Sequence, residues 1–224
     1  MLPWILIDTA KIPGSSEELR LKRRGSEFSI MLGSNELMNS RLSGSEQALA
    51  TLSHEKIHNR TAPRILIGGL GMGFTLRAAL AAFGQAAQIS VAELVPAVVA
   101  WAKGPMAELY GTSLADPRVS IVEDDVGTAI RSVRNGYDAI LLDVDNGPDG
   151  LSRPANDSLY SRKGLADAFG ALTTGGVLSI WSSHPAPHFT RRLQQAGFAV
   201  EEKPVRAHGK SGARHMIWLA IRPD

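Results

Sequence analysis

Acidic residues follow three successive apolar segments of this chain, each at the point where the segment ends. Glu93 follows the first segment, the run 123–125 follows the second, and Asp143 and Asp145 follow the third. If these segments are parallel strands of one sheet, their carboxyl ends open onto a single crevice, where open α/β sheets bind ligands. Carboxylates in such a crevice can bind ribose hydroxyls, hold a cationic group or accept a proton.

A glycine-rich turn precedes these acids. The stretch from Arg64 to Phe74 reads RILIGGLGMGF, a short apolar strand followed by Gly68, Gly69, Gly71 and Gly73. A helical segment over 75–83 comes directly afterwards. A strand that turns through glycines into a helix N-terminus presents unpaired N–H groups and the positive end of the helix dipole, which suits an anion or a nucleotide. A tight turn without a ligand would look similar, so the glycines alone do not decide between them.

The spacing of these residues favours a nucleoside over a dinucleotide. Glu93 lies 20 residues beyond Gly73, where a strand-end carboxylate can bind both hydroxyls of a ribose. A dinucleotide fingerprint places a third glycine where this chain has Phe74. Acids at the later strand ends would also repel a pyrophosphate. They suit a neutral adenosine that carries a cationic group.

The order of predicted elements indicates an α/β fold. From Arg64 onward strands alternate with helices, which predicts a mostly parallel sheet. The last two strands, 198–205 and 215–221, have no helix between them and are expected to form an antiparallel hairpin. Short alternating segments over 1–43 predict a small N-terminal β appendage. We therefore expect a division into an appendage over 1–43 and a catalytic domain over 44–224.

Composition excludes several classes of protein. The chain has 224 residues, no cysteine and a formal net charge of +2, so disulfides and thiolate metal sites are excluded. His54 and His58 are spaced for one helix face, but no third ligand is apparent and no metal is expected. The weak basic character does not predict nucleic-acid binding. No stretch approaches the length of a membrane span, and we expect a soluble, cytoplasmic protein.

The motifs resemble those of the class I S-adenosylmethionine-dependent transferases, and within them the spermidine synthases. The likeness runs over about residues 25–185. It is strongest in the segments 68–73, 91–96, 116–124 and 137–143. The resemblance implies a Rossmann-like, mostly parallel seven-stranded sheet with a C-terminal antiparallel hairpin. It also implies a small N-terminal β appendage that supports a homodimer or homotetramer.

The resemblance also implies roles for single residues. Glu93 would bind the ribose, Asp124 the adenine amino group, and Val126 would lie near the adenine ring. Asp143 is the candidate for holding the acceptor amine and taking its proton, with Asp145 next. The full set of expected donor-binding residues is Gly69, Gly71, Gly73, Glu93, Leu94, Asp124, Asp125, Val126 and Asp143.

Three departures from the family leave the transferred group open. Gly71 stands where the family has an aspartate that helps to hold the donor amine. The second acid of a D-x-x-D pair is replaced by Asn146 or displaced to Asp145. Ala48 lies near the expected place of a tyrosine. We therefore expect alkyl transfer from a sulfonium donor to a small, cationic amine, and favour methyl transfer from S-adenosylmethionine. The alternatives are aminopropyl transfer from decarboxylated S-adenosylmethionine to a polyamine and a non-catalytic nucleoside-binding module.

Overall fold

The computed structural model describes residues 2–41, 43–144, 147–148, 158–208 and 211–223. These residues form two sheets, one of four strands and one of seven. Helices cover the larger sheet on both faces. Within the described residues, no helix is long and apolar enough to cross a membrane.

The four-stranded sheet is an antiparallel meander that precedes the first helix. Asp8 Oδ2 of its first strand accepts a hydrogen bond from the Trp101 indole at 2.7 Å, which ties the small sheet to the main body. The boundary between domains at residue 43 stays a prediction. The strands are β1 (Ile5–Lys11), β2 (Glu18–Arg24), β3 (Glu27–Leu32) and β4 (Asn35–Asn39).

The seven-stranded sheet has the spatial order β10-β11-β9-β8-β5-β6-β7. The five strands from β9 to β7 are parallel, and β10 and β11 form an antiparallel hairpin at the β9 edge. The chain leaves β5 towards β6 on one side and later returns to its other side as β8. The strands are β5 (Arg64–Gly68), β6 (Gln88–Ala92), β7 (Val119–Val122), β8 (Tyr137–Leu142), β9 (Leu172–Ser182), β10 (Ala199–His208) and β11 (Ser211–Ile221).

The helices alternate with these strands as the sequence predicts. A crevice therefore opens at the carboxyl ends of β5 and β8, where the strand order reverses. The described helices are α1 (Gly44–Ile57), α2 (Phe74–Ala82), α3 (Pro96–Lys103), α4 (Ala107–Tyr110), α5 (Val126–Arg131), α6 (Arg162–Ala171) and α7 (Pro187–Gln195), with a 3-10 turn over Ser113–Ala115.

The core lies on both faces of the larger sheet because side chains alternate along each strand. Ile65 and Ile67 of β5 join the cluster that also contains residues of α1, α2 and α3. Leu66, between them, joins the cluster with residues of α5, α6 and α7. Burial of β5 from Ile65 to Gly68 fixes the position of the glycine turn that follows it.

The predicted α/β fold, parallel sheet and terminal hairpin are confirmed. The segment 96–110 contains two helices, because Gly104 and Pro105 end α3 before α4 begins. The register of β9 with β8 shifts across the stretch that contains Gly175.

Candidate active site

The glycine turn after β5 folds tightly against two neighbouring strands. Gly69 N–H donates to the Ala92 carbonyl at 2.8 Å, and Asp143 N–H donates to the Gly68 carbonyl at 3.0 Å. Gly69 has a φ of 90°, and a Cβ there would lie 2.5 Å from the Asp143 carbonyl oxygen. Only glycine lets the three chain segments approach this closely.

Tyr110 packs against the same glycine turn. Its hydroxyl donates to the Gly71 carbonyl at 2.6 Å, and its ring lies against Gly73, where a Cβ would collide with it. Burial raises the pKa of Tyr110 well above its ordinary value, so the phenol stays a hydrogen-bond donor. The turn is thus fixed at both ends before helix α2 begins.

Glu93 lies at the carboxyl end of β6, as predicted, and is buried. Its two carboxylate oxygens accept hydrogen bonds from the backbone N–H groups of Leu70 and Val95, each at 2.9 Å. These bonds fix the orientation of the carboxylate beside the glycine turn. A carboxylate oxygen can accept more than one hydrogen bond, which is the property a ribose-binding residue needs.

The two aspartates after β7 have different positions. Asp125 caps helix α5, since its Oδ1 accepts the Thr128 N–H at 3.1 Å, and it lines the crevice together with the buried Val126. Asp124 is exposed and is not among the lining residues. The sequence analysis expected Asp124 to contact the adenine amino group, and this role stays a prediction. Of the two aspartates, Asp125 is the one that lines the crevice, because the chain turns into α5 directly after it.

Asp143 follows β8 and faces the centre of the crevice. Its Oδ2 accepts a hydrogen bond from the Thr75 hydroxyl at 2.6 Å. Burial, together with the nearby charge of Glu46, raises the pKa of Asp143 to about 7. A carboxylate with such a pKa can exchange a proton near neutral pH, which suits an acid–base role. Asp145, the second predicted catalytic residue, lies outside the described residues.

The crevice contains two adjoining cavities that share Leu37, Met38, Gly71 and Asp143. Strand β4 of the small sheet thus contributes a wall to both. The Glu93 cavity is also lined by Leu19, Gly69, Ala92, Glu93, Leu94, Val95, Val98, Asp125, Val126 and Val144. The Glu46 cavity is also lined by Asn39, Glu46, Leu70, Met72, Phe74 and Trp181.

The charge of this lining is negative. The Glu93 cavity contains three acids and the Glu46 cavity contains two, with Asp143 common to both. No lysine, arginine or histidine is among the described lining residues of either cavity. In the described parts of the chain, no group of three or more potential ligands is arranged for a metal ion. The arrangement therefore suits an uncharged nucleoside with cationic groups.

Comparison with known proteins identifies relatives that are similar in sequence and in fold. No protein-family model matches the chain. It is 31% identical over 153 residues to a polyamine aminopropyltransferase of Mycobacterium tuberculosis, covering 64% of this chain and 28% of the relative. It is 29% identical over 149 residues to one of Clostridium perfringens, covering 64% of this chain and 49% of the relative. Over these segments the chain is similar in sequence to polyamine aminopropyltransferases.

The fold agrees with this relationship. A spermidine synthase in complex with the transition-state analogue AdoDATO superposes with a TM-score of 0.73, covering 97% of this chain and 72% of that one at 16% identity. The spermidine synthase of Thermotoga maritima gives a TM-score of 0.72 at 17% identity. The chain spans 28% of the length of the Mycobacterium tuberculosis relative and 49% of that of the Clostridium perfringens relative.

Sequence reasoning missed Glu46 as a residue that lines the crevice. Ala48, expected near the place of the family tyrosine, packs against the hydrophobic core. The α1 residue that lines the site is Glu46. Its acidic type and its place in the first helical turn were visible, but they predict only a favourable helix N-terminus.

Trp181 lines the Glu46 cavity at the end of β9. Its ring packs edge-to-face on His215 at 4.9 Å between centroids. Its indole nitrogen is the one buried side-chain nitrogen or oxygen without a hydrogen-bond partner among the described residues. A buried donor without a partner is costly, and a ligand in this cavity could supply the acceptor.

Proposed function

We propose that this chain transfers an aminopropyl group from decarboxylated S-adenosylmethionine to a small cationic amine. The observation that carries the proposal is the charge of the lining: the two cavities meet at Asp143, and every charged residue among their described walls is acidic. The homology to polyamine aminopropyltransferases supports the same reaction.

The Glu93 cavity holds the donor in this proposal. Glu93 binds the two ribose hydroxyls, and Asp125 accepts a hydrogen bond from the adenine amino group. Val126 and Leu94 pack against the adenosine. The glycine turn over 69–73 approaches the donor with its backbone, which directs the sulfonium and its aminopropyl chain towards Asp143.

The chemistry is displacement at a carbon that the positive sulfur has already activated. The lone pair of a neutral acceptor amine attacks this carbon, so that a C–N bond forms while the C–S bond breaks. The bonding electrons return to sulfur, which leaves as the neutral thioether methylthioadenosine. The proton lost by the nitrogen passes to the Asp143 carboxylate. The protein contributes position and a proton acceptor.

The charge of the site favours the decarboxylated donor. S-adenosylmethionine carries a carboxylate, which would add a negative charge to a crevice that already contains four acids. Like charges in a partly buried site repel strongly because the effective dielectric is low. The decarboxylated form brings only the sulfonium and an ammonium group.

Methyl transfer from S-adenosylmethionine is the second candidate. Gly71 favours it, since the turn here lacks the aspartate with which the resembled family holds the donor amine. Without that acid, selection against the carboxylated donor is weaker. The third hypothesis, a non-catalytic nucleoside-binding module, predicts donor binding without turnover.

Calorimetric titration with the two donors tests these candidates. Tighter binding of decarboxylated S-adenosylmethionine, together with release of methylthioadenosine when an amine is added, supports aminopropyl transfer. Tighter binding of S-adenosylmethionine supports methyl transfer. If neither compound binds, the nucleoside site itself is wrongly assigned.

The protein also self-associates in this proposal, as a dimer or tetramer. The N-terminal edge exposes Leu2, Ile5, Leu6 and Ile7, of which Leu2 is 67% exposed. An edge strand with apolar side chains and unpaired backbone groups is a natural pairing surface. Sedimentation velocity of the wild type and of a variant with Ile5→Lys measures this association.

A further inference from the structure

Glu46 is an acid at the reacting end of the crevice to which no motif assigns a role. It lies in the first turn of α1 and lines the Glu46 cavity with Asp143. The Thr75 hydroxyl connects the two residues, because it donates to Asp143 Oδ2 at 2.6 Å and lies 3.4 Å from the Glu46 carbonyl oxygen. Two carboxyl groups therefore face one small space.

Neighbouring residues fix the Glu46 side chain. The buried Ser45 hydroxyl donates to Glu46 Oε2 at 2.7 Å. Ser45 Oγ also lies within hydrogen-bond distance of His215 Nδ1, at 2.9 Å. Gly44 lets the start of α1 approach β10, since a Cβ there would lie 2.8 Å from the Ala207 carbonyl oxygen. Helix α1 therefore begins in close contact with β10, and Glu46 lines the Glu46 cavity.

The described walls of the Glu46 cavity do not balance the charges of the pair. Burial raises the pKa of Glu46, and burial together with the proximity of Glu46 raises that of Asp143. Among the described residues lining the Glu46 cavity, no cation compensates them. Two confined carboxylates repel each other, and a bound cation removes this cost. The cavity is therefore built to receive positive charge.

The two acids differ in position. Asp143 lines both cavities, so it lies where donor and acceptor meet, whereas Glu46 lines only the cavity away from Glu93. The reacting nitrogen must be neutral to attack, but a second amino group of the same molecule stays protonated near neutral pH. Asp143, where the cavities meet, suits the neutral reacting nitrogen. Glu46, farther from Glu93, suits the protonated second amino group.

We propose that Glu46 is the specificity-determining residue of the acceptor site and binds a second, non-reacting ammonium group of a diamine. This inference rests on the proposed transfer to an amine but is tested separately from donor binding. Glu46→Gln removes the charge and keeps the shape. Glu55→Gln is the matched control, because Glu55 is an exposed residue of the same helix.

The experiment titrates the diamine putrescine and the monoamine butylamine into each protein by calorimetry, with and without methylthioadenosine. We expect Glu46→Gln to weaken putrescine binding at least about tenfold, since one charged contact is lost. Butylamine binding should change by less than about twofold, and Glu55→Gln should behave as wild type. Glu46→Asp, which keeps the charge on a shorter side chain, should recover part of the putrescine affinity.

Other outcomes overturn the proposal. Equal weakening for both amines means that Glu46 acts only through Asp143, and unchanged putrescine affinity means that it binds nothing. A wild type that binds methylthioadenosine but not putrescine leaves the donor site intact and refutes the role of Glu46. Failure to bind any nucleoside refutes the proposed function, while the titrations without nucleoside still decide the role of Glu46. Thermal unfolding of each variant verifies that it is folded.

Discussion

The Glu93 cavity and the Glu46 cavity share Asp143 but are assembled in different ways. The polar residues of the Glu93 cavity follow directly after β5, β6, β7 and β8, so the parallel order of the strands brings them together. The Glu46 cavity combines side chains from α1, β4 and β9. Their proximity depends on packing between elements distant in sequence.

This difference determines which substitutions each cavity tolerates. The Glu93 cavity is fixed by backbone hydrogen bonds to Glu93 and by positive-φ glycines, which tolerate few substitutions. The Glu46 cavity consists largely of side chains that can change without disturbing the sheet. We expect substitutions in the two cavities to have separable effects on donor and acceptor binding.

Asp143→Asn, at the shared wall, should have the largest effect. An amide cannot take the proton of the attacking amine, so turnover should fall about 100-fold to 10,000-fold. Methylthioadenosine binding should remain within about threefold of wild type, because the amide still accepts from Thr75. Steady-state kinetics and calorimetry measure the two quantities. Asp167→Asn, which removes a surface pair with Lys163, is the control; surviving turnover in Asp143→Asn would refute the proton-acceptor role.

The pH dependence of turnover should show whether Glu46 influences Asp143. The pKa of Asp143 is raised from 3.8 to about 7, so turnover should increase as pH rises through neutrality and the carboxylate forms. Glu46 from α1 and Thr75 from α2 face this carboxyl, with Glu93 and Asp125 across the adjoining cavity. Glu46→Gln should move the midpoint to lower pH, because the repelling charge is gone. If the midpoint does not move, the charge of Glu46 does not influence the pKa of Asp143.

The same shift has a consequence for stability. A carboxyl whose pKa is higher in the folded state stabilises the fold fully below pH 3.8 and loses this contribution as pH rises through about 7. Asp143→Asn should therefore raise the free energy of unfolding of the ligand-free protein at pH 8 by about 1–3 kcal/mol. Urea unfolding at pH 5 and pH 8 measures this, and a gain no larger at the higher pH would contradict it.

Gly71→Asp tests the donor side of the crevice and should change donor preference, a smaller effect than the loss of turnover in Asp143→Asn. Gly71 has a φ of 52°, a conformation that aspartate tolerates, and its Cβ would lie 3.1 Å from the flexible Met38 sulfur. The added acid should shift preference towards decarboxylated S-adenosylmethionine by about tenfold, through one ammonium contact. Gly71→Asn is the neutral control for strain. An equal shift in both variants would mean that the charge is not responsible.

The sequence predicted the residues of the Glu93 cavity better than those of the Glu46 cavity. Strand ends and glycines are local features, so β5, the turn at 68–73 and the places of Glu93 and Asp143 could be predicted. Asp124 and Asp125 could not be separated, since both follow β7 and only the turn into α5 decides which one faces the crevice. Glu46 could not be predicted, because its role depends on where α1 packs against β10 and α2.

Asp125 and Asp124 offer the smallest test, and it addresses the assignment on the donor side directly. Asp125 caps α5 and Asp124 accepts the Asp125 N–H at 2.7 Å, and asparagine can replace aspartate in both bonds. Neither change should disturb the fold. If Asp125 binds the adenine amino group, Asp125→Asn should weaken methylthioadenosine binding about fivefold. Asp124→Asn should leave it within about twofold. The opposite pattern would restore Asp124, the residue expected from the sequence, as the adenine contact.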